Sequence, residues 1–435
     1  MKTRFKAAVL IMICTLIPVF PGNAQGLGES ILDQLGIDVH GFVDLRAGVR
    51  TQDDPYERDT SLGEVRIQTD ISKMADMATL QVRADFLYDD VSQDTDLDLE
   101  DGTGEIDLRE ANVLFFPFGL MDIKIGRQIL TWGTGDLLFI NDLFPKDWQS
   151  FFVGRDEEYL KAPSDAFFIS LFPDFVSIDV AYTPRFDSDR YISGERLSSW
   201  NPMLERRSGR DRIVDANRPD EWFEDDEIAI RVYRHVGGYQ LALYGYNGFW
   251  KSPKGMDPVT ANATFPKLWA YGASLQGPLS NGIFSLEIGH YISDEDKSGK
   301  DAFVPNSEVR LLAGYEREMA RNLTARLQYY VEYMQDYDNY RASLGDNQKT
   351  RDEDRHVVTL RLTKLIFNQN MILSFFAYYS PSDEDAYLRP MVKYKLTDNW
   401  LVMAGGNIFA GEEDHTFFGQ FAKDSNVYGA VRYSF

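Results

Sequence analysis

The residues that could carry catalytic chemistry are few and far apart in this sequence. The five histidines are His40, His235, His290, His356 and His415. The sequence has neither the HExxH spacing, which puts two zinc-binding histidines on one helix face, nor the GxSxG turn, which exposes a nucleophilic serine. We therefore predict no catalytic centre, no cofactor and no resident metal, and a hydrolase is the least favoured function.

A short run of carboxylates is a weak candidate for a calcium site. Asp94, Asp96 and Asp98 alternate in the same way as the first ligands of a calcium-binding loop. Such a loop also needs a glycine at its sixth position for the sharp turn, and this sequence has Leu99 there. The pattern favours a solvated acidic segment over a specific metal site.

Basic side chains recur at alternate positions of several short segments, and they are the main candidates for binding. A guanidinium group presents a fixed fork of donors that suits carboxylates, so an array of them along a passage would guide anions. Acidic residues such as Asp44 and Glu64 occupy neighbouring positions, so ion pairs between adjacent strands are an equally valid interpretation. The candidates in these segments are Arg46, Arg66, Arg83, Arg310, Arg326, Arg361 and Arg389.

The segments that must position these residues alternate between apolar and polar side chains. Val43 and Leu45, for example, flank Asp44 and precede Arg46, a period of two that predicts a strand with different media on its two faces. The predicted strands are residues 37–50, 61–72, 78–88, 105–116, 121–131, 165–172, 175–184, 226–235, 238–249, 268–277, 282–293, 306–317, 322–335, 354–365, 369–379, 385–396, 399–410 and 425–435.

The connections between these strands alternate between short and long along the whole chain. Short ones such as 117–120 are followed by long ones such as 132–164 and 185–225. Membrane β-barrels have an even number of antiparallel strands, short turns at one end and long loops at the other. We therefore predict an all-β fold, a transmembrane antiparallel β-barrel of 16–18 strands.

Both ends of the chain indicate export. The basic residues Lys2, Arg4 and Lys6, the apolar run 7–20 and the small residues of 22–24 are typical of a cleaved signal peptide. The last residues, "NVYGAVRYSF", alternate and end at Phe435, which resembles the C-terminal signature of Gram-negative outer-membrane β-barrels. The predicted division is a signal peptide at 1–24, a short periplasmic segment at 25–36 and the barrel at 37–435.

This resemblance implies the cell outer membrane as the location, with lipid and lipopolysaccharide as partners. The aromatic content of 14% fits interfacial girdles of Trp and Tyr. With a formal net charge of −23, the chain is not expected to bind nucleic acid. Porins are often trimers, so a homo-oligomer is an open alternative to a monomer.

One connection is unusually apolar. The stretch "GRQILTWGTGDLLFINDLFPKDW" (126–148) ends a strand and then carries a dense run of Leu, Ile and Phe. In water these side chains would form a large exposed apolar patch, which soluble surfaces avoid. We predict that this loop folds into the barrel lumen and narrows it, presenting Arg127, Lys146 and Arg155 toward the passage.

The same stretch resembles a run in a group of uncharacterised proteobacterial outer-membrane proteins akin to alginate-export porins. The residues that match are Gly126, Arg127, Gln128, Trp132, Gly133, Asn141, Pro145 and Asp147. The resemblance implies a passive channel for small anionic or amphipathic solutes. Three alternatives stay open: a phosphate- or sugar-selective porin, an adhesin, and a barrel sheath around a partner such as a periplasmic cytochrome.

Overall fold

Eighteen long strands form one closed antiparallel barrel in the computed structural model, which describes residues 35–92, 98–99, 104–345 and 349–435. In chain order the strands are β1 (Ile37–Arg50), β2 (Thr60–Ala75), β3 (Ala78–Asp89), β4 (Ile106–Phe118), β5 (Met121–Gln128), β6 (Ser164–Leu171), β7 (Ser177–Thr183), β8 (Glu227–Val236), β9 (Tyr239–Phe249), β10 (Lys267–Leu279), β11 (Gly282–Ser293), β12 (Glu308–Ala320), β13 (Leu323–Met334), β14 (Asp354–Ile366), β15 (Met371–Ser380), β16 (Asp385–Lys395), β17 (Trp400–Gly411) and β18 (Asn426–Ser434). Each strand pairs with its neighbours in sequence, and β1 pairs with β18 to close the ring.

The predicted barrel is therefore confirmed, and every predicted strand has a counterpart. The signal peptide and nearly all of the segment 25–36 lie outside the described residues and stay predictions.

The two faces of each strand differ as the alternation predicts. In β1, Asp44 and Arg46 point inward and are buried, whereas Leu45 and Val49 are exposed on the outside. Across the closing seam, Leu45 lies opposite Val431, so the outward apolar rows continue from one strand to the next. Closure satisfies the backbone hydrogen bonds of every strand, which a lipid environment requires because lipid chains offer no partners.

Short and long connections lie at opposite ends of the barrel. The short turns are residues 76–77, 119–120, 172–176, 237–238, 280–281, 321–322, 367–370 and 396–399. The other end carries the connections 51–59, 90–105, 129–163, 184–226, 250–266, 294–307, 335–353, 381–384 and 412–425. The alternation predicted from the sequence is confirmed except at 381–384, which has four residues, as many as the turns 367–370 and 396–399.

Apart from the helical Leu35 before β1, the helices and small sheets of the described residues lie in the long connections. Two α-helices, α1 (Trp148–Val153) and α2 (Tyr337–Ser343), and two 3₁₀ helices, Glu157–Leu160 and Gly419–Asp424, each span two turns or fewer. No helix among the described residues is long and apolar enough to cross a membrane. The small sheets pair Ser199–Asn201 with Arg206–Ser208, and Ala263–Thr264 with Ala216–Asn217 and Gly255–Met256.

The connection 129–163, here called the lumen loop, folds into the barrel and forms its core. Phe151 and Phe152 of this loop pack on the inward side chains Tyr387 and Phe409, whose own rings stack 4.4 Å apart. Burying one such side chain is worth about 1.5–3 kcal/mol, which explains why a connection carries so many apolar residues. The predicted inward loop is confirmed.

The longest connection, 184–226, is held over the barrel rim by a buried charged cluster. Arg207 Nη2 lies 3.3 Å from Asp54 Oδ2 and 3.4 Å from Asp424 Oδ2, and Arg50 Nε lies 3.2 Å from Asp424 Oδ1. Burial, together with the nearby Asp54 carboxylate, raises the pKa of Asp424 to about 7, although Arg50 and Arg207 act in the opposite direction.

This raised pKa predicts that the stability of the rim depends on pH. Between about pH 4 and pH 7 the carboxyl of Asp424 is protonated in the folded rim but ionised in the unfolded chain. The stability of the rim therefore falls as pH rises through that window. Hydrogen exchange of the backbone amides in 196–208, corrected for the intrinsic effect of pH, should be slower at about pH 5.5 than at about pH 8. Asp424→Asn should reduce the difference, and the rest should come from Glu57, because burial raises the pKa of that neighbouring carboxyl to about 7 as well. Asp414→Asn, at an exposed position of the connection 412–425, should leave the difference unchanged. An unchanged pH response in Asp424→Asn would contradict the assignment.

Candidate functional site in the barrel lumen

The lumen loop begins directly after β5, whose last residues have an unusual backbone. Gly126 has φ +114°, and a Cβ there would meet the carbonyl oxygen of Ala111 at 2.3 Å, so the position requires glycine. Arg127 Nε donates to the carbonyl of Leu108 at 2.7 Å, and its Nη1 lies 2.9 Å from Asp165 Oδ2. Arg127 is therefore buried at the root of the loop, where it fixes the direction in which the chain enters the lumen.

The first lobe of the loop, residues 131–147, crosses the lumen toward β11, β13 and β15. The backbone N–H of Thr134 donates to Glu287 of β11, and that of Asp136 donates to Gln328 of β13 at 2.7 Å. Tyr378 of β15 donates from its hydroxyl to the carbonyl of Leu137 at 2.8 Å. The inner wall thus supplies partners for loop backbone groups that would otherwise be buried without them.

The remaining residues of the matched motif hold this conformation. Asn141 Nδ2 donates to the carbonyl of Ile288 at 3.2 Å, and a Cβ on Gly272 would come within 1.7 Å of Asn141 Oδ1. Asp147 caps α1 by accepting from the backbone N–H of Ser150 at 2.7 Å. Trp132 packs edge-on against Phe144, with ring centroids 4.9 Å apart. The motif therefore encodes the shape of the lumen loop.

The second lobe, residues 148–161, attaches to the opposite side of the wall. Arg46 of β1 donates to the carbonyl of Gly154 at 2.7 Å, and Arg155 lies 2.5 Å from Glu64 of β2. The hydroxyl of Tyr159 donates to Asp85 of β3 at 2.7 Å.

The two lobes leave a band of opposite charges between the loop and the wall. We call it the charged band; its cations are Arg326, Arg361, Arg389, Lys393, Arg432 and Arg46, and its loop acids are Asp136, Asp156 and Glu157. Arg361 joins both lobes, because its Nε lies 2.6 Å from Asp136 Oδ2 and its Nη2 lies 3.2 Å from Glu157 Oε2. The side chain of Glu157 is 41% exposed and that of Arg361 is 20% exposed, so solvent reaches this band.

Asp156 is the most heavily paired acid of the charged band. It lies 2.7 Å from Arg46, 2.8 Å from Lys393 and 2.5 Å from Arg432, on strands β1, β16 and β18. Burial opposes its ionisation, but the three cations outweigh burial and hold the pKa of Asp156 well below its usual range. Asp156 is therefore ionised across the physiological pH range.

The other predicted basic residues lie elsewhere on the wall or within the loop. Arg83 pairs with Asp70 at 2.6 Å, and Arg66 pairs with Asp85 at 2.5 Å. Lys146 is buried against Asp142, at 3.0 Å, inside the loop. The structure thus brings Arg46, Arg326, Arg361 and Arg389 together in the charged band, but places Arg66, Arg83, Arg127, Lys146, Arg155 and Arg310 outside it.

The loop acids of the charged band were missed by the sequence interpretation. Period-two alternation assigns inward residues only in strands, and Asp136, Asp156 and Glu157 lie in an irregular connection. The signal available was the acidic run in "GRDEE" and the single acid in "GTGD", both within a loop rich in apolar residues.

Candidate metal and catalytic residues do not converge. Over the described ranges, no group of three or more His, Cys, Asp and Glu side chains could hold a metal ion. Asp94 and Asp96 of the weak calcium candidate lie outside the described residues, whereas Asp98 lies within them. The five histidines are on β1, β8, β11, β14 and the connection 412–425.

Solved structures share this barrel fold. The chain is similar in structure to OccAB4 of Acinetobacter baumannii, with a TM-score of 0.56 and 9% sequence identity over 92% of this chain and 98% of that chain. It is also similar to OccD3 (OpdP) of Pseudomonas aeruginosa, with a TM-score of 0.53 and 10% identity over 92% of this chain and 91% of that one. No family model and no curated protein sequence matches the chain.

The packing of the lumen loop predicts the effect of removing one ring. Phe152 packs against Phe409 and Phe421, so Phe152→Ala should lower the free energy of unfolding by about 3–5 kcal/mol and speed hydrogen exchange in 148–161. Phe175→Ala, at an exposed position of a short turn, is the matched control and should change neither quantity. Equal exchange in the two variants would show that the ring does not hold the loop.

Proposed function

We propose that the protein is a passive channel of the outer membrane for small anionic or amphipathic solutes. An eighteen-strand barrel is too wide for its wall side chains to fill, so its interior is available for passage wherever the lumen loop leaves room. The observation that carries the proposal is the charged band, in which cations on β13, β14, β16, β18 and β1 line one side of the lumen loop, among them the partly exposed Arg361 and Lys393.

The balance of charge in the band favours anions. Six wall cations face the three loop acids, and the wall acids Asp44 and Glu316 pair with three of those cations. Six positive charges therefore meet five negative ones, which leaves one positive charge in excess. A small excess suits a channel, because binding must be strong enough to admit an ion and weak enough to release it.

The ion pairs of the charged band also allow a solute carboxylate to exchange with a carboxylate of the loop. Arg361 and Arg389 share Glu157, at 3.2 Å and 3.4 Å, so a solute carboxylate can replace one oxygen of Glu157 without leaving either guanidinium unpaired. The fixed fork of an arginine suits such a replacement better than the point charge of a lysine does.

The outside of the barrel supports a membrane location. Membrane barrels carry aromatic girdles on the outward face, where the rings meet the lipid interface. The aromatic residues on the outward face here that suit this role are Trp269, Tyr333, Tyr379, Tyr394, Trp400 and Tyr433. Cleavage of the signal peptide, contact with lipopolysaccharide and self-association belong to the same proposal, as does kinship with the alginate-export-like group.

Ion selectivity tests the proposal. In planar bilayers under a KCl gradient, the reversal potential should indicate preference for chloride, and Arg361→Gln should reduce that preference because it removes a cation from the band. Arg321→Gln, at an exposed short turn, is the matched control and should leave the potential unchanged. Clear cation selectivity of the unchanged protein would contradict the proposal of an anion channel.

The lumen loop should limit the current. Replacing residues 137–152 by a short Gly-Ser linker removes the apolar part of the loop, and the single-channel conductance should rise severalfold because the pore is then wider. The double variant Asp136→Asn, Glu157→Gln releases Arg361 from both lobes without removing any chain, so it should raise conductance in the same direction. Conductance that stays the same in both proteins would show that the loop does not set the pore width.

A further inference from the structure

A large cavity lies between the lumen loop and the long connections at that end of the barrel. Its volume is about 1340 Å³, enough for a solute of drug size or larger. We call it the vestibule, and its walls come from the connections 184–226, 250–266, 294–307, 335–353 and 412–425.

The floor of the vestibule is apolar. Leu138, Phe139, Leu143 and Trp148 of the lumen loop line it and are only partly buried, although they pack against the buried core. The lumen loop is therefore apolar on two sides: one packs on the barrel wall, and the other faces the cavity. An apolar surface at the floor of a solvated cavity favours a ligand that covers it with apolar groups of its own.

A group of three cationic side chains lies beside this floor. We call it the cationic shelf, and its members are Lys254, Arg310 and Arg351. Lys254 Nζ stands 4.3 Å above the ring of Trp250, and the guanidinium of Arg310 stands 4.1 Å above the ring of Tyr291. Trp250 and Tyr291 stack on each other with centroids 5.6 Å apart, and Tyr291 donates a hydrogen bond to the carbonyl of Ile140 in the lumen loop. The stack thus joins the cations directly to the loop that forms the floor.

The shelf has donors available to a ligand. Lys254 Nζ is 3.9 Å from Glu308 Oε1, which is beyond hydrogen-bond length, and its side chain is 34% exposed. Arg351 is 2.5 Å from Glu332 Oε1, yet 47% of its side chain is exposed to the same cavity. An ammonium group has three donors and a guanidinium has five, so both groups can bind a further anion.

We propose that the vestibule is a binding site for amphipathic organic anions, with the anionic head on Lys254 and Arg351 and the apolar body on Leu138 and Phe139. The inference rests on the proposed channel function and deepens it, since the vestibule is where a solute meets the lumen loop. A sugar would leave the floor uncovered, and a neutral apolar solute would not use the cations, so neither matches both surfaces.

Binding of 4-phenylbutyrate to the full-length protein in lipid nanodiscs tests the site. Isothermal titration, with empty nanodiscs as the baseline, should detect binding to the unchanged protein. Lys254→Gln should weaken binding about tenfold through loss of a charged partner, and Leu138→Asn about fivefold through loss of apolar contact. Lys297→Gln removes the same charge from an exposed position of the connection 294–307 and should bind as the unchanged protein does.

Two further ligands separate the contributions of the carboxylate and of the aromatic ring to the binding affinity. Butyrate keeps the carboxylate but lacks the ring, and 4-phenylbutanamide keeps the ring but lacks the charge, so both should bind at least tenfold more weakly. Absence of 4-phenylbutyrate binding, or equal affinity for the three ligands, would overturn the proposal. The KCl conductance of the same preparation is measured without this ligand and tests the channel separately. Binding without conductance would refute the channel and support the binding site. Conductance without binding would support the channel and refute the binding site.

Discussion

The width of the barrel is the constraint on which the rest of this structure depends. Lipid offers no hydrogen-bond partners, so the strands must close into a ring, and a ring of eighteen strands encloses more space than its inward side chains can fill. Inward charges such as Asp44 and Arg46 would then face a broad aqueous lumen. The lumen loop occupies part of that space and brings both apolar and charged side chains into the lumen.

The loop is held by two kinds of contact that differ in their response to water. Phe151 and Phe152 pack in an aromatic cluster from which water is excluded, which gives the loop a fixed position. Arg361 and Glu157, by contrast, remain partly solvated, where an ion pair contributes little net stability and its members are available to exchange partners. Buried packing and partly solvated charges thereby lie in different parts of one connection.

Much of this architecture could be predicted from the sequence, and the limits have a physical origin. The strands follow from period-two alternation, a local property that β1 already displays, and the inward loop follows from an apolar content that solvent exposure could not tolerate. The partners of the charges could not be predicted, because Asp136 meets Arg361 across 225 positions of the chain. Arg127 also illustrates the limit: a local pattern indicates an arginine near the passage, but only the fold reveals that it binds Leu108 and Asp165 at the root of the loop.

Asp156 links the lumen loop to the seam at which the first and last strands close the ring. Its carboxylate is held at once by Arg46 of the first strand and Arg432 of the last, which are neighbours only after β1 has paired with β18. The full set of ion-pair partners of this carboxylate is therefore present only after the first and last strands have paired. The three ion pairs that attach Asp156, and with it part of the second lobe, are therefore complete only in the closed ring.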